Sequence, residues 1–379
     1  MNPEHYYRHF LINNRYPRKL IIRNSSLINF SSNDYLGLTQ HPYLQQKANE
    51  FITQYGVGAG SSRLVTGNLE IYEKLEAKLA DALNKPAALI LGTGYQTNSS
   101  ILEALLDPAI LNKKPYVFCD RLCHASMQNN IRYFSHLKRF RHNNLLHLQE
   151  LLEKYKDCDE SKFILAESIY SMDGDQANLL GLIELARKYK AFLYIDDAHA
   201  VGLYGQSAWG LAADHGEYID VIMGTFSKAL GSFGGYIGCS EVTRDYLINK
   251  CKGLIYSTAL PPSVLGAIAG AMEVLPTLTE ERKKLLAMAN KLREFFKENN
   301  LNIGQSSTHI IPWILGDAQT TFAASELLQK EGIYAVTIRP PSVPAGECRI
   351  RFCLTVSHEE KHIQQLMEAI VKVKIKLNL

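Results

Sequence analysis

Short apolar runs rich in β-branched and aromatic residues alternate along this chain with longer segments of helical period. That alternation restricts the fold more than any other feature, because it predicts a largely parallel sheet with helices on its faces. The predicted strands are AALILG (87–92), PYVFCD (115–120), KFILAES (162–168), AFLYID (191–196) and DVIMGTF (220–226). Helical segments such as EIYEKLEAKLADALN and NLLGLIELARKYK separate them. From about residue 262 two long helical stretches precede HIIPWIL, YAVTIR and CRIRFCLTV and a final helix, a pattern of α+β type. The expected organisation is an N-terminal arm over 1–42, a large α/β domain over 43–261 and a smaller α+β domain over 262–379.

Ligands of open α/β sheets collect beyond the carboxyl ends of strands, and the chemically suggestive residues follow these runs. Gly94, His124, Ser171, Asp196 with His199, and Thr225 with Lys228 all do so. In TFSKALGSFGG (225–235) Lys228 stands between a hydroxyl residue and a glycine-rich tail, and YIDDAHAVG (194–202) brings Asp196 and His199. An amine for a Schiff base, a carboxylate for a pyridinium nitrogen and donors for a phosphate are what pyridoxal 5'-phosphate requires. Taken singly, each residue has a plainer reading. Lys228 alone is a solvated lysine, Asp196 caps a turn, and His124 starts a helix. GTGYQTNSS (92–100) offers backbone N–H groups to an anion at a helix start, though a simple turn has the same pattern. Thr225, Ser227, Ser257 and Thr258 add hydroxyls.

Other functions find little support. The 41 basic and 38 acidic residues leave a net charge of +3 without a basic stripe, so nucleic acid is not expected as a partner. The opening MNPEHYYRHFLINNRYPRK lacks a signal-type apolar core, and no run reaches the roughly 18 apolar residues of a spanning helix. A soluble cytoplasmic protein is expected, without membrane association. Seven scattered cysteines suit a reducing compartment. Cys119 and Cys123 near His124 lack a second pair for zinc, and Asp173-Gly174-Asp175 lacks the remaining ligands of a calcium loop, so no metal is expected.

The motifs NFSSNDYLGL, GAGSSRLVTGN, CDRLCHASM, ESIYSMDGD, IDDAHAVG, TFSKALG, LIYSTALPP and RPPSVPAGECRIRFCLT occur in the order found in α-oxoamine synthases of the fold-type I pyridoxal-phosphate transferases, which the chain resembles nearly end to end. The resemblance implies Lys228 as the Schiff-base lysine, Asp196 as partner of the ring nitrogen, His199 as partner of the phenolic oxygen and His124 as the stacking residue. It implies Gly94, Tyr95, Ser171 and Thr225 at the phosphate, with Thr258 serving the phosphate of a second subunit in a homodimer. Arg351 with Asn33 is implied at the amino acid carboxylate, and Ser342 at the acyl group. His124 also belongs to the implied substrate contacts. The middle motifs are shared with glycine C-acetyltransferases and 5-aminolevulinate synthases. The stretch IRPPSVPAGECRIRF (338–352) resembles the branch that condenses L-alanine with a pimeloyl thioester and releases carbon dioxide. Two positions depart from the family. Tyr72 stands where many members have histidine, and Asn13 and Asn14 replace basic residues of some members before Arg15-Tyr16-Pro17; the resemblance implies Arg15 among the substrate contacts and leaves open which residue of the arm recognises the distal acyl carboxylate.

Overall fold

The computed structural model describes residues 12, 14–16, 18–22, 25–129 and 131–379. Asn13 and Pro17, and most of the opening segment read above, lie outside them. Two compact units emerge: Leu38–Arg282, and the described part of 1–37 together with Lys283–Leu379.

The larger unit is built on seven strands: β1 (Ala87–Leu91), β2 (Tyr116–Asp120), β3 (His136–Phe140), β4 (Lys162–Glu167), β5 (Phe192–Asp196), β6 (Val221–Thr225) and β7 (Gly235–Cys239), in the order β1-β7-β6-β5-β4-β2-β3. All five predicted strands are present. Only β7 runs antiparallel to its neighbours, β1 and β6, so β1 to β6 share one direction. β1, β6 and β7 are buried at every residue, as expected of strands covered on both faces, which is why β1 and β6 read as continuous apolar runs. Alternate residues Leu89, Leu91, Val117, Cys119, Phe163, Leu165, Val221, Met223, Ile237 and Cys239 belong to one core cluster with Ile101 and Leu102 of the helix Gly94–Leu105. Each such side chain contributes about 1.5–3 kcal/mol through burial.

Two strands of this sheet escaped the sequence reading. β3, HLKRF, is an edge strand with an exposed histidine and arginine, so its apolar signal is interrupted. β7, GYIGC, carries two glycines where backbone must pass close to neighbours: a Cβ at Gly235 would stand 2.4 Å from the Thr97 hydroxyl.

The unit boundary also differs from the composition change at 262. Helix α1 (Pro42–Tyr55) and the helix Pro262–Val274 pack so closely that a Cβ at Gly266 would lie 2.4 Å from the Lys47 carbonyl, and both belong to the larger unit. In the smaller unit, residues expected as an arm form the strands Asn14–Tyr16, Lys19–Ile22 and Ser25–Asn29, completed by Ile333–Tyr334 in parallel with the last. A second sheet holds Ile310–Gly316, Cys348–Cys353 and Val336–Ile338. No single helix among the described residues is long and apolar enough to cross a membrane.

Candidate active site

Because β1, β2, β4, β5 and β6 run in one direction, the loops that follow them open on the same edge of the sheet, and there they enclose a cavity of about 230 Å³. Its lining includes seven of the expected residues: Gly94, Tyr95, His124, Asp196, His199, Thr225 and Lys228. Asn98, Ser126, Glu167 and Ser227 join them, three of which the sequence reading did not single out. A larger surface depression of about 550 Å³ lies at the opposite ends of the same strands, beside Lys162, Phe163 and Phe192, and contains none of the expected residues.

The helix Gly94–Leu105 starts at the cavity because Thr93 caps it, its hydroxyl accepting the Gln96 N–H at 3.0 Å. Its first amides, those of Gly94 and Tyr95, need no acceptor within the helix and form an anion site with the helix dipole. A Cβ at Gly94 would come within 3.4 Å of the Thr225 hydroxyl, so this strand-to-helix turn and the end of β6 are in close contact. Thr225 Oγ1 donates to the Gly234 carbonyl at 2.7 Å and accepts the Ser227 N–H at 3.2 Å, shaping the turn that carries Lys228.

Asp196 ends β5 almost fully buried. Its Oδ1 accepts the Ala198 N–H at 3.0 Å, and its Oδ2 accepts from Asn98 Nδ2 at 2.7 Å. His124 caps the short helix Ala125–Gln128, and its backbone N–H donates to the carboxyl group of Glu167, the last residue of β4. Burial holds the His124 imidazole below its ordinary pKa, with Lys228 pushing the same way against the attraction of Asp196. Burial drives Glu167 well above the usual carboxyl range, and neighbouring Asp196 adds to the effect. Asp197, turned into the protein, is pushed up to about 7 by burial although Ser168 and the Ala212 N–H donate to it.

The remaining expected residues occupy other surroundings. Ser171 is buried in the turn after β4. In that turn Asp175 is bound by His142, whose Nε2 lies 2.9 Å from it while Nδ1 lies 3.0 Å from Asp120. Thr258 is exposed and forms an isolated bridge with Ser62, whereas Ser257 is engaged by the side chain of Gln96. Tyr72 is buried, its hydroxyl accepting the Leu260 N–H at 2.9 Å under the Arg63 guanidinium, so it serves packing here. In the smaller unit Arg351 is buried and donates through Nη1 to Asn33 Oδ1 at 3.1 Å, while the neighbouring arginine on the strand, Arg349, pairs with Glu347 at 3.0 Å. Ser342 and Arg15 are exposed in that unit.

The donor set suits pyridoxal phosphate: an amine, a buried carboxylate, an aromatic imidazole and a helix N-terminus line a single cavity. With the mostly parallel sheet, this defines a fold-type I pyridoxal-phosphate transferase. The chain belongs to the aminotransferase class I and II family, whose model matches residues 25–370. It is 44% identical to an 8-amino-7-oxononanoate synthase of Gluconacetobacter diazotrophicus, over 91% of this chain and 87% of that protein. A Magnetococcus marinus protein that bears the same name provisionally is 46% identical over 96% of this chain and 92% of its own length. A serine palmitoyltransferase from S. paucimobilis with bound PLP superposes with a TM-score of 0.92 at 26% identity, covering 98% of this chain and 93% of that one.

Proposed function

We propose that this enzyme condenses L-alanine with a pimeloyl thioester to form 8-amino-7-oxononanoate, releasing the thiol carrier and carbon dioxide. The observation that carries this reading is the 44% identity, over 91% of the chain, to a protein named for that activity. The high structural likeness to a serine palmitoyltransferase favours a second reading, serine with a long acyl thioester, but at 26% identity it reflects mainly what the two substrate classes share.

In this reading each residue has a definite task. When bound, pyridoxal phosphate supplies an electron-withdrawing ring that takes up the electron pair left at the alanine Cα. Lys228 Nζ would hold the cofactor covalently, and its free amine would remove the alanine Cα proton as general base. Asp196 keeps a proton on the ring nitrogen, His199 donates to the phenolic oxygen, and His124 stacks on the ring. Gly94, Tyr95, Ser171 and Thr225 hold the phosphate, with Thr258 reaching that of a second subunit. Arg351, steadied by Asn33, grips the alanine carboxylate as a guanidinium fork, while Ser342 and Arg15 contact the acyl substrate. Lys228 returns a proton to Cα after the new carbon–carbon bond has formed, the carbon–sulfur bond has broken and the carboxylate has left.

The homodimer has its own support. Val57, Leu64, Val65 and Tyr256 are exposed on two segments joined by the Ser62–Thr258 bridge and the Ala259 N–H to Ser61 carbonyl bond, an apolar surface suited to a second copy. The test of substrate is direct: the purified enzyme is offered alanine, glycine and serine against pimeloyl, acetyl and palmitoyl thioesters. Alanine with the pimeloyl thioester should give the highest kcat/KM. Preference for serine with palmitoyl, or glycine with acetyl, would replace this reading.

A further inference from the structure

Two of the cavity's residues, Asp196 and His124, come from different strand ends, yet one buried side chain bridges them. Asn98 lies one helical turn beyond Gly94, and its Nδ2 is 2.7 Å from Asp196 Oδ2 and 2.9 Å from Ser126 Oγ. Ser126 Oγ in turn lies 2.7 Å from His124 Nδ1. The amide cannot be reversed, because its oxygen would then face the carboxylate, and the Tyr194 hydroxyl fixes it from behind by donating to Asn98 Oδ1 at 2.8 Å. Asn98, Ser126 and Tyr194 are essentially inaccessible to water.

The proton bookkeeping of this chain leaves one arrangement. Asn98 has two N–H hydrogens, one for Asp196 and one for Ser126 Oγ. Ser126 Oγ can accept twice and so fixes no direction toward His124 Nδ1 by itself; the direction is set by the Ser126 backbone N–H, which can only donate, and the hydroxyl hydrogen then joins it there. The Ser126 backbone N–H reaches the same nitrogen at 3.3 Å. With two donors on Nδ1, that atom must be bare, and burial keeps the ring from taking a second proton. We infer that Asn98 and Ser126 are positioning residues that couple Asp196 to His124 and hold the imidazole as its neutral Nε2–H tautomer, with a single N–H to offer. Under the proposed function this would place a donor, and never a base, on that ring. The inference rests on the reading that the cavity is the cofactor site, but its protonation pattern exists without the cofactor.

The test therefore begins with the cofactor-free full chain, labelled with 15N-histidine, in which His124 is identified by the resonances lost in His124→Asn. The expected spectrum shows a protonated Nε2 and a bare, hydrogen-bonded Nδ1. The opposite tautomer, or an imidazolium at neutral pH, would overturn the inference. Ser126→Ala, Asn98→Leu and the milder Tyr194→Phe should each raise the minor tautomer, by roughly fivefold for one hydrogen bond lost, and Ser126→Thr should restore the parent ratio. If Asn98→Leu does not fold, Ser126→Ala and Tyr194→Phe decide the matter: nitrogen shifts unchanged in both would reject the coupling. In the holoenzyme, Ser126→Ala should bind one pyridoxal phosphate per chain but with a weakened visible circular dichroism band, because the ring is less uniquely oriented. An unaltered band would leave Ser126 a structural residue and contradict the inference. Failure to bind pyridoxal phosphate at all, with the expected tautomer present, would instead count against the functional reading.

Discussion

Lys228 owes its place to the turn around it. Thr225 closes that turn through Gly234, and the Gly231 N–H bonds back to the Lys228 carbonyl at 3.0 Å. Lys228→Ala should remove the visible absorption of covalently attached pyridoxal phosphate and all turnover while leaving far-UV circular dichroism unchanged, since the role proposed for it is covalent. Gly231 sits at φ +64°, and a Cβ there would come within 2.5 Å of the Leu38 carbonyl carbon and 2.6 Å of the Thr39 nitrogen. Backbone cannot yield as a flexible side chain can. Gly231→Ala should therefore cost about 2 kcal/mol, read as a lowered urea midpoint. Strand alternation places Arg349 and Arg351 on one face, but their partners separate them: Glu347 occupies Arg349, and an uncharged amide steadies Arg351. Arg351→Lys should weaken alanine binding with little effect on cofactor content, followed by titrating alanine against the cofactor spectrum. Unchanged alanine affinity there, with a loss in Arg349→Lys, would exchange the two roles.

At the scale of elements, the loops after β2, β3 and β4 are tied together by one imidazole. His142 follows β3 and lies between Asp120 at the end of β2 and Asp175 in the turn after β4. Burial lowers its pKa, but the two carboxylates outweigh burial and raise it to about 10. The unfolded imidazole titrates near about 6.5, so the stabilisation is complete below that pH and fades as pH rises toward the folded value. His142→Leu, which leaves two carboxylates facing each other without a cation, should lose roughly 3–5 kcal/mol near neutral pH. Chemical denaturation at a series of pH values checks both parts. The parent should lose stability between about pH 6.5 and 10, and the variant should lack that slope. A parent whose midpoint is flat across this window would show that His142 is not the charged brace described.

For the whole molecule the property to test is the proposed association. The side chains of Val57, Val65 and Tyr256, each more than 70% accessible, belong to the two segments joined by the bridge between Ser62 and Thr258, the residue proposed to serve a neighbour's phosphate. Light scattering should find a dimer. Val65→Asp should weaken dimerisation at least tenfold and lower activity with it, leaving secondary structure intact, because a charge would have to be desolvated at the interface. An active monomeric parent would remove both the dimer and the role of Thr258.

Five of the seven central strands, and eight residues lining the cavity, were legible in the linear chain for a local reason. A strand covered on both faces is a continuous apolar run, and in a parallel sheet the residues just after such runs necessarily meet at one edge. The edge strand HLKRF and the glycine-bearing GYIGC lack that run, so their pairing alone defines them. The same holds for Ser25–Asn29, whose parallel partner Ile333–Tyr334 is some three hundred residues distant. Asn98, Ser126, Glu167 and His142 were equally silent. Their significance lies in which buried polar atom each one satisfies, and burial and hydrogen-bond direction come into being only when distant segments pack. The chain's local chemistry thus determined the sheet and the kind of cofactor it serves, whereas tertiary packing decided which side chains hold that chemistry in place.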